Sequence, residues 1–184
     1  MCKKAVMTIK NTDYNIDNVD KAANLILSDY KTKTSVPIVK ILNDAGFRIL
    51  LQELPQNTGG YIMISDNYSE KFGSDKIIVL NNSNSPNRRR FTLAHEFGHF
   101  LLDPKAKGVF EFYDAYETDD DDSPTEQLVN KFAAELLMPN KIFSKKYNEL
   151  KKKKIDIYDI YIALAEFFEV PYKAVKRRVS ELGL

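Results

Sequence analysis

Both histidines of this 184-residue chain fall in one short stretch, His95-Glu96-Phe97-Gly98-His99, and the chain has no others. Around them Phe91, Leu93, Ala94, Phe97, Phe100, Leu101 and Leu102 make the segment strongly apolar. Ser85-Pro86 supplies a cap and a first-turn proline, and Asp103-Pro104 marks a stop, so the spacing predicts one helix between them. Such a helix has to be buried. Carrying two imidazoles and a carboxylate into an apolar interior costs free energy unless they find partners there. Residues four apart project from one helical face. His95 and His99 can therefore offer two ring nitrogens to one ion at about 2.0–2.1 Å, the usual zinc–nitrogen distance. Glu96 lies one position round from His95, near such an ion but not on it. There it can act as general base toward a water whose pKa zinc lowers to about 7, and later pass the proton to a leaving amine. A chance match in an ordinary helix is the competing explanation, but it leaves unexplained why both histidines are spent here.

A catalytic zinc needs a third protein ligand and an open fourth position. With no third histidine, that ligand has to be a carboxylate. Asp103 shares the stripe of His95 and His99, yet two helical turns, roughly 12 Å, separate it from His95. A second predicted helix, from about Pro124 to Met138, offers Glu126 and Glu135. At about 100° per residue, Leu128, Val129, Phe132, Ala133, Leu136 and Leu137 define its buried arc. Glu126 falls at the edge of that arc. Glu135 falls on the opposite flank near Lys131, where solvent is expected. Glu126 is therefore the expected ligand, although the helix dipole alone also favours a carboxylate at a helix start. Asn130, one turn on, is placed to orient a ligand by hydrogen bonding. The same donor set also suits iron or manganese.

The rest of the chain supplies the frame. Residues 16–30 read as a helix with Val19, Ala22, Ala23, Ile26 and Leu27 at helical spacing, and a second helix runs from Ser35-Val36-Pro37 to Gly46. Residues 47–54, 61–65 and 76–80 read as strands, the last continuously apolar over Ile77-Ile78-Val79-Leu80. A lysine-rich stretch, Lys151 to Lys154, leads into two final helices, residues 157–168 and 172–182. Helices, a small sheet and further helices predict an α+β fold with a small mixed or antiparallel sheet. The expected division is a metallopeptidase body over residues 1–150 and a helix-turn-helix-like segment over 151–184.

Two segments carry a resemblance: Arg90-Phe91-Thr92-Leu93-Ala94-His95-Glu96-Phe97-Gly98-His99-Phe100-Leu101-Leu102, and residues 126–139, Glu126-Gln127-Leu128-Val129-Asn130 through Met138-Pro139. Together they resemble the ImmA/IrrE family of bacterial and phage metallopeptidases, with a zincin-like plan similar to that of the gluzincins. The resemblance implies zinc held by His95, His99 and Glu126, with Glu96 catalytic. It also implies an endopeptidase that cleaves or inactivates a DNA-binding repressor of the helix-turn-helix kind, switching on a mobile element or a stress response. Val129 departs from the small residue usual in the family, a change in packing and not in chemistry. The acidic run Asp119 to Asp122 is outside the common pattern and reads as a solvated loop.

Composition bounds the remaining possibilities. Apolar residues make up 43% of the chain, with 10 tyrosines and 11 phenylalanines, enough for a packed core. Lysine and arginine number 27 against 26 acidic residues, so net charge gives no reason to expect nucleic acid or an anionic membrane. Cys2 is the single cysteine, at what reads as a flexible start, which excludes an internal disulfide and suits a reducing, cytoplasmic setting. No apolar run approaches a membrane span, and the first residues do not read as a signal peptide. Arg88-Arg89-Arg90 opens the motif helix against its dipole and reads as a solvated turn with one structural arginine, substrate contact being the competing role. Lys173, Lys176, Arg177 and Arg178 lie on the last helix, so DNA contact is physically open there, though the near-neutral charge favours packing or a protein partner. Two other functions compete with the peptidase: a zinc-stabilised regulator that binds a repressor or DNA and cleaves nothing, and a hydrolase of small amides. The complete His-Glu-x-x-His sequence favours the peptidase, because a purely structural site has no use for Glu96.

Overall fold

The computed structural model describes residues 2–30, 34–103 and 123–184. The elements run α1 (Cys2–Lys10), α2 (Val19–Leu27), α3 (Ile38–Asp44), β1 (Phe47–Gln52), β2 (Gly60–Ile64), α4 (Tyr68–Phe72), β3 (Lys76–Asn81), α5 (Pro86–Leu102), α6 (Pro124–Leu137), α7 (Asn140–Lys151), α8 (Ile157–Phe168) and α9 (Tyr172–Glu181). The fold is α+β, as the order of segments predicts. The acidic run 119–122 lies outside the described residues.

The three strands form a mixed sheet in the order β1-β3-β2. β3 lies in the middle, parallel to β1 with Phe47 opposite Lys76, and antiparallel to β2 with Gly60 opposite Leu80. Its continuously apolar Ile77 to Leu80 is buried on both faces, which is what a central strand requires. Helix α5 packs on β2 and β3, on α3, and along most of α6. Phe97 marks the middle of this sandwich: its ring meets Phe47 of β1 edge-on at 5.9 Å and Phe132 of α6 at 6.2 Å. Close approach of α5 and α6 depends on Gly98. A Cβ there would lie 2.9 Å from Val129 Cγ1 and 3.1 Å from Phe132 Cδ1. Val129, the departure from the family pattern, therefore fills the space that Gly98 leaves.

Two expectations are corrected. The start of the chain is not a flexible tail: Cys2 opens α1 and is buried, its thiol directed at the carbonyl of Ile41 at 3.6 Å. Its four buried residues, Cys2, Ala5, Val6 and Ile9, recur at helical spacing, but a helix of nine residues is marginal alone, and contact with α2, α3 and α5 supplies its stability. Glu135 is not on a solvated flank either. It is 6% exposed and ion-paired with Arg178 of α9, and it also accepts a hydrogen bond from the Asn140 backbone at 3.2 Å. Arg178 in turn donates through Nε to the Met138 carbonyl at 3.3 Å. A helical wheel of α6 alone cannot show this, because the covering arginine comes from 43 residues further along the chain.

The α8–α9 turn is fixed as well. Asn87 Nδ2 donates to the Val170 carbonyl at 3.3 Å, Ser35 donates to Glu169 Oε1 at 3.2 Å, and Arg90 Nε lies 3.6 Å from Glu169 Oε2. Arg90 also donates to the carbonyl of Val36, which makes it the structural member of the arginine triplet. The last two helices are thus tied to both long helices of the body.

Two outcomes follow from this packing and are checked by denaturant unfolding. Gly98→Ala should cost about 1–3 kcal/mol by overpacking, and Val129→Ala in the same chain should restore part of it; additive losses would show that the two residues do not share the contact. Arg178→Ala should cost about 3–5 kcal/mol because it strands Glu135, whereas Arg177→Ala, an exposed pair with Glu181, should cost less than about 1 kcal/mol. Equal midpoints for the two arginine variants would show that the buried pair is not holding α9.

Candidate metal centre

Helix α5 begins where the sequence signals place it. Ser85 caps it by accepting from the Arg88 N–H at 3.3 Å, Pro86 occupies the first turn, and Asp103 ends it. Every residue from Thr92 to Leu102 is buried, including His95, Glu96 and His99. Helix α6 is capped in the same way, with Ser123 Oγ accepting from the Glu126 N–H at 3.2 Å. This puts Glu126 in the first turn, where exposed N–H groups favour a negative side chain. The antiparallel stacking of the helices turns that first turn toward the second half of α5.

Three of the expected site residues meet. His95 Nε2 and His99 Nε2 are 3.0 Å apart; Glu126 Oε1 is 3.0 Å from His99 Nε2, and its Oε2 is 3.3 Å from His95 Nε2. Two atoms bound at about 2.0–2.1 Å to a tetrahedral centre stand about 3.3 Å apart, so this trio is spaced for one ion. His95, His99 and Glu126 are a group whose ligand atoms could hold a metal, and among the described residues they are the one such cluster. Asp103 and Glu135 do not join it.

The outer nitrogens of the two rings are also occupied. His95 Nδ1 donates to Asn130 Oδ1 at 3.1 Å, so the orienting role expected of Asn130 has the geometry it needs. Behind His99, Nδ1 faces Asp103 Oδ2 at 3.6 Å. Asp103, whose distance from His95 argues against it as a ligand, stands at the back of the His99 ring. Its spacing of four residues from His99 was the available signal. With acceptors at both Nδ1 atoms, the Nε2 atoms are the ones turned toward Glu126.

The electrostatics call for a cation at the centre. Burial disfavours charge on both rings. On His95, burial and the charge of the adjacent His99 prevail over Glu126 and Asn130, and the pKa is lowered. On His99, burial is outweighed by hydrogen bonding to Asp103 and Glu126 and by the charge of Glu96, and the pKa is raised. The two rings are thus pushed in opposite directions by the same small set of neighbours. Two imidazole nitrogens, a carboxylate and a neighbouring carboxylate fit a divalent cation at this point better than a single proton, since a proton can bridge one pair only. Glu96 is fully buried directly beside the cluster.

The family described as the IrrE N-terminal-like domain, Peptidase M78, matches residues 43–180. The radiation response metalloprotease IrrE of Deinococcus radiodurans is 38% identical over 68 residues, covering 37% of this chain and 21% of that protein. Its counterpart in Deinococcus deserti is 43% identical over 63 residues, covering 34% and 22%. The matched part of the chain thus spans about a fifth of the length of either IrrE protein. Immunity region protein 2 of Bacillus phage phi105 is 28% identical over 149 residues, covering 77% of this chain and 81% of that one. Among solved structures, a Mycobacterium tuberculosis transcriptional regulator superposes with a TM-score of 0.58 over 97% of this chain and 51% of its own, at 17% identity, a likeness of fold alone. Since the family match takes in the sheet, both long helices and the two last helices, about three quarters of the sequence, the chain belongs to the IrrE N-terminal-like family of metallopeptidases.

Proposed function

We propose that the chain is a zinc-dependent endopeptidase, with His95, His99 and Glu126 as metal ligands and Glu96 as general base. The observation that carries this reading is the convergence of His95 Nε2, His99 Nε2 and the Glu126 carboxylate within 3.0–3.3 Å of one another beside a buried glutamate. Two nitrogens and one carboxylate suit zinc and leave a fourth position for the reaction. Zinc bound there supplies Lewis acidity toward water and the scissile carbonyl. Asn130 and Asp103 hold the two rings in register, and the first turn of α6 presents the Glu126 carboxylate to them. Glu96 accepts a proton from the attacking water and delivers it to the leaving nitrogen, so the amide nitrogen departs as an amine while the new carboxyl keeps the water oxygen.

The substrate in this reading is a helix-turn-helix repressor inside the cell, and its inactivation releases a mobile element or a stress response. Three relatives support that direction by their names, one an immunity region protein of a phage and the other two radiation response metalloproteases. A cytoplasmic setting suits the buried free thiol of Cys2, and no helix among the described residues is long and apolar enough to cross a membrane. Residues 1–150 carry the chemistry, and the helices of 151–184 serve partner contact.

The reading is tested by co-incubating the zinc-loaded protein with a repressor encoded beside its gene. Wild type should give discrete fragments, and Glu96→Gln none while keeping its zinc. Equal derepression by wild type and Glu96→Gln would sink proteolysis in favour of a binding regulator. Glu126→Ala should lose the metal and Glu135→Ala should keep it, measured by metal analysis after dialysis; the reverse result would move the third ligand. Asn130→Ala should weaken zinc binding about 10–100-fold by releasing the His95 ring, read by competition with a chromogenic chelator, and an unchanged affinity would remove Asn130 from the site.

A further inference from the structure

Residues 151–159 are exposed without interruption, from the end of α7 to the first turn of α8. They combine two features. Lys151 to Lys154 form a basic edge, and Ile155, Ile157 and Tyr158 stand in solvent at 40%, 47% and 57% exposure. Tyr172 at the start of α9, 36% exposed, lays its ring 5.4 Å from that of Tyr158 and 5.8 Å from that of Tyr161. Four of the eight exposed large apolar side chains among the described residues thus lie in one place. Scattered apolar residues on a surface are ordinary, but a cluster with a charged edge marks an interaction site.

We propose that this face is a docking surface for the protein substrate, and that it takes a partner surface apolar at its centre and acidic at its rim. The proposal rests on the reading that the chain acts on a protein. Charge complementarity selects the acidic rim: four lysines against Asp156 and Asp159 leave the face positive. Clustered tyrosines supply large, rigid contact area of the kind that dominates protein interfaces. Duplex DNA fits the same face less well. Of the basic residues of α9, Arg178 is buried against Glu135 and is not presented to a phosphate, and Arg177 is paired with Glu181 at 3.1 Å, which leaves Lys173 and Lys176 as its unburied lysines. Exposed isoleucines have no counterpart in a phosphate backbone, and the two aspartates repel it. The turn of the helix pair is also occupied internally by Asn87, Ser35 and Arg90.

The test measures binding of the repressor to the Glu96→Gln chain, which cannot consume it, and compares Tyr158→Ser/Tyr172→Ser and Lys152→Glu/Lys153→Glu added to that background. The tyrosine pair should weaken binding about tenfold or more, mainly through faster dissociation. The lysine pair should slow association and reduce its salt dependence. In the active chain the tyrosine variant should raise KM for the intact repressor with kcat unchanged, and leave cleavage of a short peptide spanning the scissile bond unaltered. Should the tyrosine variant melt early, the lysine pair, fully in solvent, decides the matter alone. Unchanged repressor affinity in both variants would overturn the proposal, as would a selective loss of affinity for operator duplex or for phosphatidylserine vesicles. The two readings fail separately: tight binding that both variants weaken, with no cleavage by wild type, would leave the docking surface and remove the peptidase, whereas cleavage with unaltered KM would do the opposite.

Discussion

Three ionisable side chains of one helix, His95, Glu96 and His99, lie almost wholly out of solvent between a sheet and a second helix. In an apolar interior such groups are tolerated only when each has partners and the charges are balanced. The architecture around them follows from that requirement. Helix α6 has to approach closely enough for Glu126 and Asn130 to reach the rings, and Gly98 permits that approach where any side chain would touch Val129 and Phe132. Phe47, Phe97 and Phe132 then fill the apolar space between α5, the sheet and α6. Packing and chemistry are the same problem here, because the helix pair that buries the histidines also delivers the carboxylate that balances them.

The parts legible in the sequence are those fixed by local signals. Ser85-Pro86 announces the start of α5, where Ser85 caps as expected, and α6 starts at Pro124 as placed, with Ser123 capping it in the same way. Apolar Ile77 to Leu80 announces a buried strand, and it is the central one. The convergence of Glu126 with the histidines was legible because α6 is amphipathic enough to define an arc. What escaped is short or set in polar sequence. Helix α7 carries three buried residues, Phe143, Tyr147 and Leu150, at helical spacing, but lysines surround them. Helix α1 is nine residues long and depends on its neighbours. Glu135 looked solvated because Arg178, the residue that buries it, is distant in sequence.

The C-terminal helices show how charge in a sequence can mislead about a surface. Read along the chain, Lys173, Lys176, Arg177 and Arg178 make a basic helix at the end of a helix-turn-helix-like pair. In space Arg178 points inward, donating to Met138 and pairing with Glu135, and its guanidinium is 2% exposed. Arginine suits such a position better than lysine because its planar fork can meet a carboxylate and a carbonyl together. The positive charge that composition assigns to α9 is thus partly structural: Lys173, Lys176 and Arg177 stay at the surface, and Lys151 to Lys154 form a second exposed basic stretch.

Helix α6 therefore works at both ends. Its first turn presents Glu126 to the histidines, and its last turn, through Glu135 and Met138, grips α9. The first turn of α5 is held in the same manner, by Asn87 and Arg90 against the α8–α9 turn. The exposed face of 151–159 is therefore carried by helices anchored to the two that present the metal-binding side chains. That anchorage rests on one buried ion pair, one backbone acceptor at Met138, and the clasp around Glu169 and Val170.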